Sequence, residues 1–125
     1  MIDWTEDELK RIGNADELQI QTTRLDGTLR KPVTIWTVRV GRELFIRSYR
    51  GRASSWFRGA LKNNHGRIQA GGVSKAVTFN EVSDPGINDQ IDTAYKTKYG
   101  RMGAAYVNTM VSADIRAATI KIIPL

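Results

Sequence analysis

Val33-Thr34-Ile35-Trp36-Thr37-Val38-Arg39-Val40, then Gly41-Arg42, then Glu43-Leu44-Phe45-Ile46-Arg47-Ser48-Tyr49 is the stretch whose reading decides the fold. β-Branched and aromatic residues fill its first half, the composition of a pleated, partly buried surface. Alternation puts Val33, Ile35, Thr37 and Arg39 on one face and Thr34, Trp36, Val38 and Val40 on the other, which predicts a single strand over residues 33–40. Gly41-Arg42 is a tight connection into a second strand. Upstream, Leu18-Gln19-Ile20-Gln21-Thr22 alternates, Asp26-Gly27 signals a hairpin turn, and Pro32 marks a strand start or edge. Downstream, residues 67–70 and 73–82 read as a strand pair about Gly71-Gly72, and residues 119–123 as a last strand.

Helices frame this strand-rich middle. Thr5-x-x-Glu8 has the form of a capping box, Gly13 is a stop, and Leu9, Ile12 and Trp4 would be the buried contacts. Ser54 or Ser55 can cap a helix running to about residue 62, ended by Asn63-Asn64-His65-Gly66. Asp84-Pro85-Gly86 introduces Ile87, Ile91, Ala94, Tyr95 and Tyr99 at helical spacing up to Gly100, and residues 104–111 read as a further short helix. Strands followed by helices and a late returning strand predict an α+β fold. A small antiparallel barrel of about six strands is the natural form, because closure removes exposed sheet edges. No repeat, linker or low-complexity tract divides the chain, so residues 1–125 read as one domain.

Composition narrows the function. Hydrophobic residues make up 41% and charged residues 26%, a globular balance. Cysteine is absent, which excludes disulfides, thiolate metal sites and a cysteine nucleophile and suits a reducing compartment. The start, Met1-Ile2-Asp3-Trp4-Thr5-Glu6, is acidic where a secretory signal is basic, and no apolar run approaches the ~20 residues of a membrane helix. These features predict a soluble, cytoplasmic protein. The charge of +6 fits an anionic partner: nucleic acid, lipid or a phosphorylated small molecule. There is no G-x-G-x-x-G fingerprint, phosphate loop or G-x-S-x-G elbow. His65, the single histidine, sits in a polar turn and reads as a surface residue, so no metal site is expected. Asp89 and Asp92 share a helix face and read as solvated. An enzyme built from this inventory would leave the hard chemistry to a cofactor.

The segment from Arg47 to Arg58 holds most of the chemical information. It gathers guanidinium groups, serines and small residues where a strand meets a helix start, an arrangement suited to an anion. Trp56, Phe57, Tyr49 and Trp36 supply flat apolar surface for a stacked ring. The same residues also read as a solvated rim with two aromatic anchors, and arrangement alone separates the two readings.

Trp4 with Glu8-Leu9, Ala15-Asp16-Glu17-Leu18, Asp26-Gly27-Thr28, Ile35-Trp36, Arg47-Ser48-Tyr49-Arg50-Gly51, Gly66-Arg67-Ile68, Ala70-Gly71-Gly72 and Ala94-Tyr95-x-x-Lys98-Tyr99 together resemble a bacterial family of unknown function. Residues 28–72 are also similar to the deazaflavin-dependent nitroreductases of the FMN-binding split β-barrel superfamily. That resemblance implies a bound FMN or deazaflavin and an oxidoreductase passing a hydride to a small organic substrate. It implies that Ser48 and Tyr49 line the cofactor, that Arg50, Gly51 and Arg52 face its phosphate, and that Ser54, Ser55 and Trp56 present the helix start. Thr34 and Trp36 would lie near the ring system, with Arg47 and Arg30 toward an acidic tail. Split barrels commonly pair, which implies a homodimer through Tyr95, Tyr99, Tyr106, Val107 and Met110. The helices beyond Asp84 depart from the nitroreductase pattern and would fill the site, cover it or make the dimer contact. Two rival readings remain: a binding or structural domain without redox chemistry, and a nucleic-acid-binding barrel. The even spread of Arg and Lys along the chain weakens the last.

Overall fold

The computed structural model describes residues 3–125; Met1 and Ile2, the first residues of the acidic start, lie outside the described part. In chain order the elements are α1 (Glu6–Asn14), β1 (Leu18–Thr22), β2 (Val33–Ile35), β3 (Thr37–Val40), β4 (Glu43–Arg47), α2 (Ser55–Asn63), β5 (His65–Ala70), β6 (Val73–Glu81), α3 (Pro85–Tyr99), α4 (Ala104–Met110), α5 (Ala113–Arg116) and β7 (Thr119–Pro124). Single 3-10 turns at Gly51–Ala53 and Gly100–Met102 precede α2 and α4. The capping box at Thr5 is formed in both directions, Ser54 is the cap of α2, and Asp84 caps α3.

All seven strands pair antiparallel in the order β2-β1-β5-β6-β7-β4-β3. The two outermost strands are neighbours in sequence, separated by Trp36 alone. The run over residues 33–40 is therefore not one strand. Its first half pairs with β1 (Ile35 opposite Leu18) and its second half with β4 (Thr37 opposite Ile46), at opposite ends of the sheet. One bent segment thus nearly closes a split barrel and raises the strand count from about six to seven. The break shows in burial: Thr37 and Val38 are consecutive and both buried, which a straight half-exposed strand does not allow.

Two cores follow. Inside the barrel lie Leu18, Ile20, Leu44, Ile46, Ile68, Val77, Phe79, Ile120 and Ile122, plugged by Leu9 and Ile12 of α1 and by Phe57 and Ala60 of α2. The Trp4 indole N–H donates to the Ile122 carbonyl at 3.0 Å and ties the chain start to β7. Outside the barrel, Val38 and Phe45 pack under Ile91, Tyr95, Tyr99, Val107, Met110 and Ile115. Each such side chain contributes about 1.5–3 kcal/mol by burial. The second core corrects the sequence argument for pairing, because Tyr95, Tyr99, Val107 and Met110 are consumed within the protomer. Tyr106 alone of that set is exposed.

Candidate functional site

The barrel is split where the free edge of β2 faces the end of β4. A groove of about 650 Å³ occupies the gap, lined by Val33, Thr34 and Ile35 of β2, by Ser48, Tyr49 and Arg50 after β4, by Ala53 and Ser54, and by Ser55, Trp56 and Arg58 of α2. A second lobe of about 290 Å³ shares Thr34, Ile35 and Tyr49 and adds Trp36, Arg47, Tyr106 and Met110. The two lobes make one groove with a helix start at one end and aromatic rings at the other. Among the described residues, none lining either lobe is acidic.

At the helix end, Ser54 accepts the Phe57 N–H at 3.3 Å, and the first N–H groups of α2 open beside Ser55. Arg50 and Arg58 are exposed, and neither has a carboxylate partner among the described residues. Gly51 takes φ 76°, a left-handed turn that favours glycine, and its N–H closes on the Ser48 carbonyl at 2.9 Å. That turn fixes Ser48. The Ser48 side chain is fully buried, lines the groove, and its Oγ has no hydrogen-bond partner among the described residues. Trp56 is nine-tenths buried and packs edge-on against Phe57 at 6.0 Å, so it anchors α2 while forming part of the groove wall.

At the aromatic end, Trp36 stacks face to face on Tyr99, with ring centroids 4.0 Å apart and planes 3° from parallel. The Tyr99 hydroxyl is within reach of the Asp16 and Thr37 carbonyls at 2.9 and 3.1 Å and of the Thr37 N–H at 3.2 Å. The platform under Trp36 is therefore held to the β3 edge. Tyr106 stands edge-on to Trp36 at 6.5 Å and tilted to Tyr49 at 6.3 Å. Thr34 lies on the exposed β2 edge, its Oγ1 accepting from Gln19 at 2.7 Å.

The arginines separate sharply. Arg47 lies buried under α3 and spends all its N–H groups there. Nε donates to Thr119 Oγ1 (2.9 Å), Nη1 to Asp92 Oδ1 (2.5 Å) and the Met110 carbonyl (2.9 Å), and Nη2 to the Asn88 carbonyl (3.2 Å) and Oδ1 (2.9 Å). It borders the second lobe with no donor left for a ligand. Arg52 turns away from the groove and bonds Glu81 and the Ala117 carbonyl, each at 2.7 Å. Arg30 is exposed beside Gly59 of α2 and outside both lobes. Asp89 and Asp92 are not simply solvated: both bind Arg116, and Asp92 also binds Arg47. His65 is exposed, its Nδ1 2.9 Å from the Asn63 carbonyl, and does not line the groove. Among the described residues no cluster of His, Asp and Glu could hold a metal.

The groove also holds residues the sequence reading did not pick as site residues: Val33, Ile35, Ala53, Arg58, Tyr106 and Met110. Arg58 was recoverable, since it falls four residues after Ser54 and three after Ser55, on one helix face. Tyr106 had no such signal, being 57 positions from Tyr49. The helices after Asp84 pack on the outer face of β3 and β4 and leave the groove open, contributing Tyr106 and Met110 to its rim.

Comparison with solved structures finds the same fold at low identity. An F420-H2-dependent reductase superposes with a TM-score of 0.62 at 16% identity, over 86% of this chain and 93% of its own. The heme storage protein HutZ of Vibrio cholerae gives 0.65 at 13%, over 96% and 89%. An FAD-binding protein of Mesorhizobium loti gives 0.60 at 14%, over 99% and 92%. A sequence search of curated proteins gives no match. The profile of DUF2255, described as an uncharacterized protein conserved in bacteria, matches residues 8–122, and the chain belongs to that family.

Proposed function

We propose that the groove binds a flavin or a deazaflavin and that the protein is an oxidoreductase using it on a small organic substrate. The observation that carries this reading is the groove itself: two unpaired arginines and a helix start at one end, stacked aromatics at the other, and the orphaned Ser48 hydroxyl along the wall. A buried hydroxyl without a partner costs about 1–3 kcal/mol, which a polar ligand atom would recover. Arg50, Arg58 and the first N–H groups of α2 suit the phosphate of FMN, or of a deazaflavin, by charge and by dipole. Thr34, Trp36, Tyr49 and Tyr106 suit a flat ring. The groove offers hydroxyls but no His, Asp, Glu or Lys as a general base, so the chain would bind and orient while the cofactor supplied hydride transfer. The structural relatives named above include an F420-H2-dependent reductase and an FAD-binding protein, which supports the class without choosing the cofactor. Because His65 lies away from the groove, a haem there would lack a histidine ligand from this chain.

A homodimer would cover Tyr49 and Tyr106 on the groove rim and bury about 1,500 Å² in total. A cytoplasmic location accords with the cysteine-free composition, and no described helix is long and apolar enough to cross a membrane.

The test is titration with FMN and with a reduced deazaflavin, followed by flavin fluorescence and absorbance. Arg50→Ala removes about 1.5–3 kcal/mol of charge-assisted bonding, so affinity should fall by about one to two powers of ten. Arg52→Ala should leave it unchanged. Equal loss in both variants would discard the phosphate assignment, and no binding by the native protein would discard the cofactor reading. A steep salt dependence toward single-stranded DNA, with no flavin binding, would favour the nucleic-acid reading instead.

A further inference from the structure

One edge of the molecule, apart from both lobes of the groove, sets exposed leucines among cations. The connection between β1 and β2 turns back through Arg24, Leu25, Asp26 and Gly27, closed by the Gly27 N–H on the Arg24 carbonyl at 2.9 Å. Such turns ordinarily carry polar residues. Here Leu25 stands at the tip, 77% exposed, and Leu29 on the returning arm is exposed too. The arm is fastened to the end of α2, where Asn63 Nδ2 donates to the Thr23 and Arg24 carbonyls at 3.0 and 3.1 Å. Gly59 lets the base of the arm lie against the helix, since a β-carbon there would stand 2.9 Å from Thr22 Oγ1 and 3.5 Å from Arg30 Nε. To the same edge α2 adds Leu61 and Lys62, both exposed.

The charge on this edge is one-sided. Arg24, Arg30, Lys31 and Lys62 are exposed, and none forms an ion pair among the described residues. Between Glu17 and Glu81 the chain carries two acids, Asp26 and Glu43. Glu43 lies on β4 and pairs with Lys121. Asp26 is engaged by its own turn, its Oδ1 accepting from the Thr28 N–H and hydroxyl at 2.9 and 2.6 Å. Four cations against one carboxylate leave a net +3 around the leucines.

We propose that this edge docks reversibly on an anionic lipid surface, the cations meeting the headgroups and Leu25 entering the boundary with the acyl chains. The two residue types select that partner together. Nucleic acid would satisfy the cations, but leucine offers a base no stacking plane, and Trp36, Tyr49 and Tyr106 stand at the groove instead. A second copy joined through the same edge would set +3 against +3. An anionic bilayer answers both features, with negative charge outside and an apolar phase beneath. The contact is peripheral, since no described helix is long and apolar enough to cross a membrane.

Each Lys or Arg near such a surface strengthens binding about fivefold, and withdrawing the Leu25 side chain from the apolar phase weakens it about tenfold. The native protein is sedimented with vesicles of phosphatidylcholine alone, or mixed two to one with phosphatidylserine. It should bind the mixed vesicles and not the neutral ones. Leu25→Ser, which keeps every charge, should bind about tenfold more weakly, and Lys31→Gln with Lys62→Gln about 25-fold. These three side chains are exposed, so the fold does not depend on them. Because the chain has no cysteine, Leu25→Cys can carry a single environment-sensitive fluorophore, whose emission should shift to the blue on the mixed vesicles alone. No binding to the mixed vesicles, equal binding to neutral ones, or unchanged affinity in Leu25→Ser each overturns the proposal. Unchanged vesicle affinity in Leu25→Ser together with tight binding of single-stranded DNA would make the edge a nucleic-acid surface instead. No flavin enters the test and no substituted residue lines the groove, so the result is independent of the proposed cofactor site.

Discussion

Arg47→Met tests how the outer helices are fastened to the barrel. Arg47 is buried on β4 and donates to acceptors from α3, the end of α4 and β7, so one side chain ties three elements together. Methionine keeps much of the apolar stem but leaves the Met110 and Asn88 carbonyls without that donor. Breaking a buried pair by removing one partner costs about 3–5 kcal/mol. The lower end applies, because Asp92 keeps its bond to Arg116 at 2.5 Å and is not left as a lone buried charge. Against a total stability of about 6–19 kcal/mol for a domain of this length, that is a large fraction. With a urea m-value near 2 kcal/mol/M, the midpoint should fall by about 1.5 M. Arg47→Met combined with Asp92→Leu should recover part of the loss, since a buried pair exchanged for apolar residues is often near neutral. A midpoint shift below about 0.5 M in the single variant would refute the view that this network fastens the helical layer.

Trp36→Leu removes the stack on Tyr99, worth about 0.5–1.5 kcal/mol beyond area. Flavin or deazaflavin affinity should drop while binding of inorganic phosphate at the helix end is unchanged, both read by calorimetry; loss of both would place Trp36 outside the ring end. Stability should also depend on pH in a defined way. Lys98 has a folded pKa of about 8 against an ordinary value near 10.4, so between these the unfolded chain holds more protons and stability rises with pH. Tyr99, at about 12, and Tyr95, pushed higher still by burial, act oppositely above pH 10, where unfolded phenols release protons that the fold retains. Urea midpoints should therefore rise from pH 8 to about 10 and then fall, and Lys98→Met should abolish the rise alone. A steady decline from pH 8 in the native protein would contradict the burial of Lys98.

Local pattern was enough to find nearly every element, because each carries its own period and punctuation. The capping box at Thr5, Asp84 before Pro85, and Asp26-Gly27 in the first hairpin connection act over a few residues and need no partner to be read. What pattern could not show was the bend at Trp36. The alternation from Val33 to Val40 is unbroken, and the break exists only because β1 and β4, at opposite ends of the sheet, each take half of it. The second core was hidden for a related reason. Leu44-Phe45-Ile46-Arg47 is buried on both faces, and nothing local says that the outward face waits for helices from residue 85 onward.

The same distinction governs the site. Arg47, Arg50 and Arg52 fall within six residues and look equally suited to an anion. Yet a buried or bridged arginine is available to a ligand only if the chain does not already supply its acceptors. Asp92 lies 45 residues from Arg47, and Glu81 lies 29 residues from Arg52. Those separations put the decisive partners beyond any local reading. The left-handed turn at Gly51 lies between Arg50 and Arg52, and it is Arg50 that remains beside the groove while Arg52 reaches Glu81. Arg58, one turn into α2, also lacks a carboxylate partner among the described residues and borders the same groove. The cations that matter for binding are thus identified by subtraction: once internal acceptors have claimed theirs, Arg50 and Arg58 remain, on either side of the helix start that an anion would approach.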